Sequence, residues 1–318
     1  MKILANDGLS GKAIKTLEGA GFEVLTTKVA QNQLANFINE EHVEILLVRS
    51  ATQAKRDLID ACPSLKLIGR GGVGMDNIDV TYAREKGIKV INTPNASSHS
   101  VAELTFAHLF SGVRFLYDAN RNMPLEGDTR FNELKKDYAH GHELKGKTLG
   151  IIGLGRIGRA VATIALGLGM KVIAYDPEQQ EATITLSFFD GRSLDFVIKT
   201  ISKKEVLEEA DFITLHIPAQ KEAVIGEKEF QQMKDGVGII NVARGGVIDE
   251  EALLHALEHE KVAFAGLDVF EGEPTPSIRI LMHPQVSLSP HIGAATLEAQ
   301  ERVGDELAEQ IIEAMSEK

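Results

Sequence analysis

Apolar residues along the chain come in short runs separated by longer mixed stretches. The runs KILA at Lys2–Ala5, FEVL at residues 22–25, EILLV at 44–48, LKLIG at 65–69 and KVIN at Lys89–Asn92 have the length of buried strands. Between them, segments such as residues 12–20 and 57–61 read as helices. The same alternation restarts at Lys147. TLGIIG predicts a strand, residues 159–168 a helix and KVIAYD at 171–176 the next strand; DFITLHIP, VGIINVA, AFAGLDVF and QVSLSP continue the series. Strands alternating with helices predict parallel βαβ units and an α/β fold. The Pro-, Asn- and Ser-rich stretch at residues 92–100 predicts a loop between two halves. A single long helix is expected over residues 101–120, and a last one over 297–315. One segment departs from this alternation. Apolar and polar residues alternate on both sides of Asp190-Gly191, which predicts a β-hairpin.

Composition narrows the class. The 318 residues are 43% hydrophobic and 25% charged, ordinary for a globular protein with enough material for two cores. Lys and Arg total 34 against 46 Asp and Glu, a net charge of −12. Such a balance argues against nucleic acid as a partner, because that affinity rests on neutralising phosphates. It also means that an anionic substrate must be captured by local cations. The lone Cys62 excludes an internal disulfide and a cysteine-based zinc site. His255 and His259, four apart, lack an evident third ligand, so no metal is expected. The first residues lack the apolar core of a signal peptide, and no run approaches the length of a membrane span. A cytoplasmic protein without a membrane partner is the expectation.

The strongest local motif is GLGRIG, residues 153–158, which follows a predicted strand and opens a predicted helix. Gly153 permits the tight turn, Gly155 lets the backbone approach a pyrophosphate, and Gly158 allows close packing of helix on strand. The helix N-terminus faces the phosphates. Asp176 ends the next strand, 18 residues past Gly158, where a carboxylate would hold the adenosine ribose and repel a 2′-phosphate. That pattern points to NAD over NADP. Because the motif lies mid-chain, it suggests a nucleotide domain inserted into another domain.

Three further residues follow apolar strands: Arg244 in NVARGG, Glu273 in LDVFEGEP and His291 in SLSPHIGAAT. Singly they read as a surface cation, a solvated loop acid and a helix N-terminal residue. Jointly, at strand ends where a doubly wound sheet forms its ligand crevice, they make a hydride-transfer set. Imidazole moves a proton near neutral pH, a paired carboxylate stabilises its cation, and guanidinium binds a carboxylate and polarises a carbonyl.

GLGRIG with Asp176, NVARGG, EGEP and SPHIGAAT together resemble the NAD-dependent D-2-hydroxyacid dehydrogenases, over about residues 45–300. The resemblance implies Arg244, Glu273 and His291 as catalytic residues. It implies Arg156 and Ile157 at the pyrophosphate and His216 and Pro218 near the adenosine. The Val242 carbonyl and Asp268 would hold the nicotinamide carboxamide, with Gly293 nearby. In the first half, VRSAT and LIGRGGVGMDNID are similar to the D-3-phosphoglycerate branch more than to its lactate, glycerate or formate relatives. That implies Arg49 and Arg70 on a substrate phosphate and the amides of Val73 and Gly74 on its carboxylate. Val73 stands where that branch commonly has Thr, Val242 where Cys is common, and the Asp190-Gly191 hairpin looks like an insertion.

The expected fold is therefore α/β, with two doubly wound parallel-sheet domains. A Rossmann NAD-binding domain (residues 97–290) is inserted into a flavodoxin-like substrate domain (1–96 and 291–318). The expected activity is NAD-dependent oxidation of D-3-phosphoglycerate to 3-phosphohydroxypyruvate, the entry to serine biosynthesis. The alternatives are reduction of glyoxylate, hydroxypyruvate or another 2-keto acid, and an NADH-sensing, co-repressor-like binding protein. A small anionic, phosphorylated substrate and a homodimer through the nucleotide domain are the expected partners. The length leaves no room for the C-terminal regulatory domains of longer phosphoglycerate enzymes, so feedback by serine is not expected.

Overall fold

A computed structural model describes residues 1–316. The chain divides into two compact units. One comprises Met1–Ser98 with the segment from Ala294 onward, the other His99–Gly293.

The first unit is built on five parallel strands, β1 (Lys2–Ala5), β2 (Glu23–Leu25), β3 (Ile45–Val48), β4 (Leu67–Arg70) and β5 (Lys89–Asn92), in the order β2-β1-β3-β4-β5. This is the flavodoxin-like order. Side chains alternate across the pleat, so consecutive apolar residues fill two cores. Leu4, Leu46, Val48 and Ile68 pack on one face. Ile3, Ala5, Ile45, Leu47 and Leu67 pack on the other, under Ala13 and Leu17 of helix Gly11–Gly19 and Val303, Leu307 and Ile311 of helix Leu297–Ser316. The final helix thus returns to the first sheet. It approaches closely because Gly304 faces Ser10, where an added Cβ would lie 2.3 Å from Ser10 Oγ.

The second unit holds a six-stranded parallel sheet. Its strands are β6 (Thr148–Ile152), β7 (Lys171–Tyr175), β10 (Phe212–Leu215), β11 (Val237–Asn241), β12 (Val262–Leu267) and β13 (Val286–Leu288), ordered β13-β12-β11-β10-β6-β7. Between β7 and β10 the chain forms the expected hairpin, β8 (Glu181–Ser187) and β9 (Ser193–Lys199), paired antiparallel around Asp190-Gly191. Beyond β7, where a doubly wound sheet would add a third strand of its first half, the chain makes a single parallel bridge from Ala174 to Thr200. The hairpin stands in place of that strand, and β8 packs on helix Arg156–Gly167.

Two expectations shift. The single helix over residues 101–120 is two, Ser98–Val113 and Leu116–Glu126, parted at Phe115, whose φ of 55° is left-handed. The unit boundaries fall at Ser98 and Gly293, slightly later than 96 and 290. Residues 291–293 stay with the second unit because three of its hydrogen bonds hold them. His291 N–H donates to the Asp268 carbonyl, and the Ile292 and Gly293 amides donate to the Asp268 carboxylate. Among the described residues, no helix is long and apolar enough to cross a membrane.

Candidate active site

Every cofactor or catalytic candidate in the second half lies where a parallel strand of this one sheet ends or just beyond it. The glycine loop follows β6, Asp176 follows β7, His216 and Pro218 follow β10, Val242 and Arg244 follow β11, Asp268 and Glu273 follow β12, and His291 and Gly293 follow β13. Parallel pairing places these ends along one edge, so topology alone gathers residues up to 140 positions apart in sequence.

The glycine loop has the geometry a dinucleotide requires. Gly153 sits at φ 98°, and a Cβ there would lie 2.5 Å from the His216 carbonyl oxygen. A Cβ on Gly158 would lie 2.1 Å from the Gly153 carbonyl oxygen, so this glycine closes the loop on itself as well as packing helix on strand. Gly155 caps helix Arg156–Gly167 and has no neighbouring protein atom within 4 Å of an added Cβ, leaving the helix N-terminus approachable. Arg156 and Ile157 occupy its first turn. Asp176 Oδ2 accepts from Leu154 N–H at 2.8 Å, tying the loop to the end of β7, while Oδ1 accepts from the Glu178 and Gln179 amides. The His216 ring shares a 3.0 Å hydrogen bond with Thr214 Oγ1, and its buried Nδ1 has no partner. Burial pushes this imidazole down to about 3, so it stays neutral at physiological pH. These features fit NAD. Gly158→Ala is expected to destabilise the protein by about 1–3 kcal/mol through overpacking. A lowered melting temperature together with weaker NAD binding in a titration is the expected result.

Glu273 and His291 meet as a pair, with Nδ1 of the imidazole 2.8 Å from Glu273 Oε2. Glu273 Oε1 accepts from the Phe270 amide at 2.9 Å, which fixes the carboxylate against its own loop. His291 has a left-handed backbone, φ 55°. For a residue other than glycine this costs about 1–3 kcal/mol, as it does at Phe115 between two helices. The bonds from Ile292 and Gly293 to the Asp268 carboxylate, at 2.8 Å each, are charge-assisted and offset it. With Nδ1 engaged by Glu273, Nε2 is the ring nitrogen left to exchange a proton with a ligand. A cavity of about 380 Å³ adjoins the pair, lined by Phe270, Pro274, Leu281 and Leu288 among others.

Arg244 sits on a loop pinned from two sides. Asn241 Nδ2 donates to its carbonyl, and its own Nη1 donates to the Ala243 carbonyl. A Cβ on Gly245 would lie 1.9 Å from the Phe270 carbonyl oxygen, so Gly245 is what lets the Arg244 loop press against the loop carrying Glu273. In the other unit Arg70 ends β4 and Arg49 directly follows β3, on adjacent paired strands. Asp7 anchors the Arg49 turn, accepting from the Arg49 and Thr52 amides and the Thr52 hydroxyl. Gly72 gives the Arg70 side chain its place, since a Cβ there would lie 2.0 Å from Nη1. Val73 and Gly74 continue that loop, and the Val73 carbonyl accepts from Asn92 Nδ2.

Residues 106–293 match the family model described as "D-isomer specific 2-hydroxyacid dehydrogenase, NAD binding domain". The chain belongs to the D-2-hydroxyacid dehydrogenases. The dehydrogenase is 45% identical over 316 residues to a hydroxypyruvate reductase of Thermotoga maritima, covering 98% of this chain and 97% of that one. It is 42% identical to the D-3-phosphoglycerate dehydrogenase of Methanocaldococcus jannaschii, covering 98% of this chain and 57% of that one. Among solved structures it is similar to a glyoxylate reductase from Paecilomyes thermophila, with TM-score 0.80, 32% identity and coverage of 99% and 95% of the two chains. The chain carries the family's NAD-binding domain, and the family acts on 2-hydroxy acids.

The sequence alone did not single out His108 and Ser289, which support the loop carrying His291. His108 and the Asp268 carboxylate, both buried, are linked through the half-buried Ser289 hydroxyl, next to the turn that carries His291. The only sequence signal for this link is a polar His in an otherwise apolar stretch of helix Ser98–Val113.

Proposed function

We propose that this dehydrogenase oxidises D-3-phosphoglycerate to 3-phosphohydroxypyruvate, with His291, Glu273 and Arg244 as its catalytic residues. The observation that carries the chemistry is the 2.8 Å contact between His291 and Glu273. NAD, when bound, supplies the hydride acceptor. Neutral His291 takes the C2 hydroxyl proton on Nε2 as the carbonyl forms, and Glu273 stabilises the resulting imidazolium across Nδ1. Arg244 binds the substrate carboxylate and the oxygen that becomes the carbonyl. The glycine loop with Arg156 and Ile157 receives the pyrophosphate, and Asp176 the adenosine ribose. His216 and Pro218 line the adenosine end, while the Val242 carbonyl, Asp268 and Gly293 bound the nicotinamide.

The choice of a phosphorylated substrate rests on Arg49 and Arg70. They stand at the ends of neighbouring strands of a protein with net charge −12, and two guanidiniums suit a phosphate dianion. The Val73 and Gly74 amides then face the carboxylate. A second reading, reduction of hydroxypyruvate or glyoxylate, is favoured by the likeness to the T. maritima reductase along nearly its whole length. We also assign a homodimer through the NAD-binding unit, because Phe110, Leu116, Leu125 and Phe131 leave apolar side chains exposed there.

The test is a substrate panel followed at the NADH absorbance. D-3-phosphoglycerate with NAD, product trapped, is compared with NADH plus 3-phosphohydroxypyruvate, hydroxypyruvate or glyoxylate. The first reading expects a higher kcat/KM for the phosphorylated keto acid than for either unphosphorylated one. The reverse order overturns it in favour of the second.

A further inference from the structure

A buried histidine outside the proposed catalytic set stands two hydrogen bonds from the Asp268 carboxylate. His108, only 4% exposed, comes from helix Ser98–Val113 and lies against β12, where Gly266 makes room: a Cβ there would be 2.6 Å from His108 Cβ. Both ring nitrogens are engaged, Nδ1 with Ser287 Oγ at 2.9 Å and Nε2 with Ser289 Oγ at 2.8 Å. Ser289 Oγ in turn lies 2.6 Å from Asp268 Oδ1.

The direction of this chain follows from donor arithmetic. A carboxylate has no hydrogen to give, so the Ser289 hydroxyl donates to Asp268. Its oxygen must then accept from His108, which makes Nε2 the protonated nitrogen. Burial disfavours the imidazolium against the pull of Asp268, so the ring is neutral and Nδ1 accepts from the Ser287 hydroxyl. Asp268 spends its remaining capacity on the Ile292 and Gly293 amides and, through its carbonyl, on the His291 amide. The hydrogen bonds from the amides of His291, Ile292 and Gly293 therefore converge on one residue.

We propose that His108 is a positioning residue for the reaction: its Nε2–H, acting through Ser289, orients the Asp268 carboxylate and so keeps His291 aligned with Glu273. The proposal rests on the reading of His291 as the acid–base group. His108 touches neither substrate nor cofactor in this role, so its loss should appear in kcat more than in substrate affinity. Only a group that donates from the Nε2 position can replace it.

The test compares His108→Leu, His108→Gln and Ser289→Ala in steady-state turnover with NADH and the best 2-keto acid of the panel. His108→Leu is expected to lower kcat about tenfold, the scale of losing one buried hydrogen bond, with KM for the keto acid little changed. His108→Gln places an amide N–H near the same point and should restore most of kcat. In the Ser289→Ala background, His108→Leu should add almost nothing. Additive losses, a His108→Gln as impaired as His108→Leu, or an effect confined to KM overturn the proposal. An independent arm needs no variant turnover. In the ¹⁵N NMR spectrum of the wild-type protein at pH 7, the His108 ring should show a protonated Nε2 and a bare Nδ1. The opposite tautomer or an imidazolium overturns the relay. A wild-type protein that turns over no 2-keto acid would instead refute the functional reading, while the NMR arm still reports on the relay.

Discussion

His291→Asn is expected to lower kcat by about 10²–10⁴-fold, the usual contribution of a positioned acid–base group, while NAD affinity changes little. Asn is the informative replacement for a structural reason. The position sits at φ 55°, which Asn tolerates better than most residues. Its amide N–H can still donate to the Asp268 carbonyl, so the loop keeps its anchor. The variant therefore removes the imidazole without adding backbone strain, and a stable fold with lost turnover isolates the proton-transfer role. Pre-steady-state mixing with NADH, isothermal titration and a thermal melt separate chemistry, binding and stability. Turnover within tenfold of wild type would remove His291 from the mechanism and with it the importance of the Glu273 contact.

Arg49→Ala and Arg70→Ala give the second large effect, on substrate choice. Each hydrogen bond to a charged group contributes about 1.5–3 kcal/mol, so each variant should cost roughly 10–150-fold in kcat/KM for the phosphorylated substrate. Hydroxypyruvate and glyoxylate carry no phosphate and should lose little. The contrast matters because the overall charge of −12 opposes capture of a polyanion, and local cations must overcome it. Arg49→Ala is the cleaner probe. Its turn is held by Asp7 through main-chain amides that the substitution keeps. Equal losses on all keto acids would mean that these arginines serve the fold or the shared carboxylate, and the phosphoglycerate reading would give way to the reductase.

The glycine loop and Asp176 were legible because their requirements are local. A positive φ, a close backbone approach and a carboxylate at the next strand end are written within a few dozen residues. The strands were legible because parallel buried strands are continuous apolar runs. The break at Phe115 was not, since apolar residues lie on both sides of it and the nearby Gly112 sits within the helix rather than at the left-handed position. The hairpin was visible from its alternation and turn, but its standing where a sheet strand would pair depends on β7's outer edge.

Sequence by itself determined the fold class, the dinucleotide loop and which residue types stand at the strand ends. Those properties belong to residue types and short-range spacing. Tertiary structure alone decided which groups touch. The His291–Glu273 pair and the His108–Ser289–Asp268 relay join residues as many as 181 positions apart. They meet because parallel pairing brings the strand ends together and because Gly245 and Gly266 let backbone and helix close in. A polar residue in an apolar helix shows on its own that a partner is needed; only packing identifies the partner.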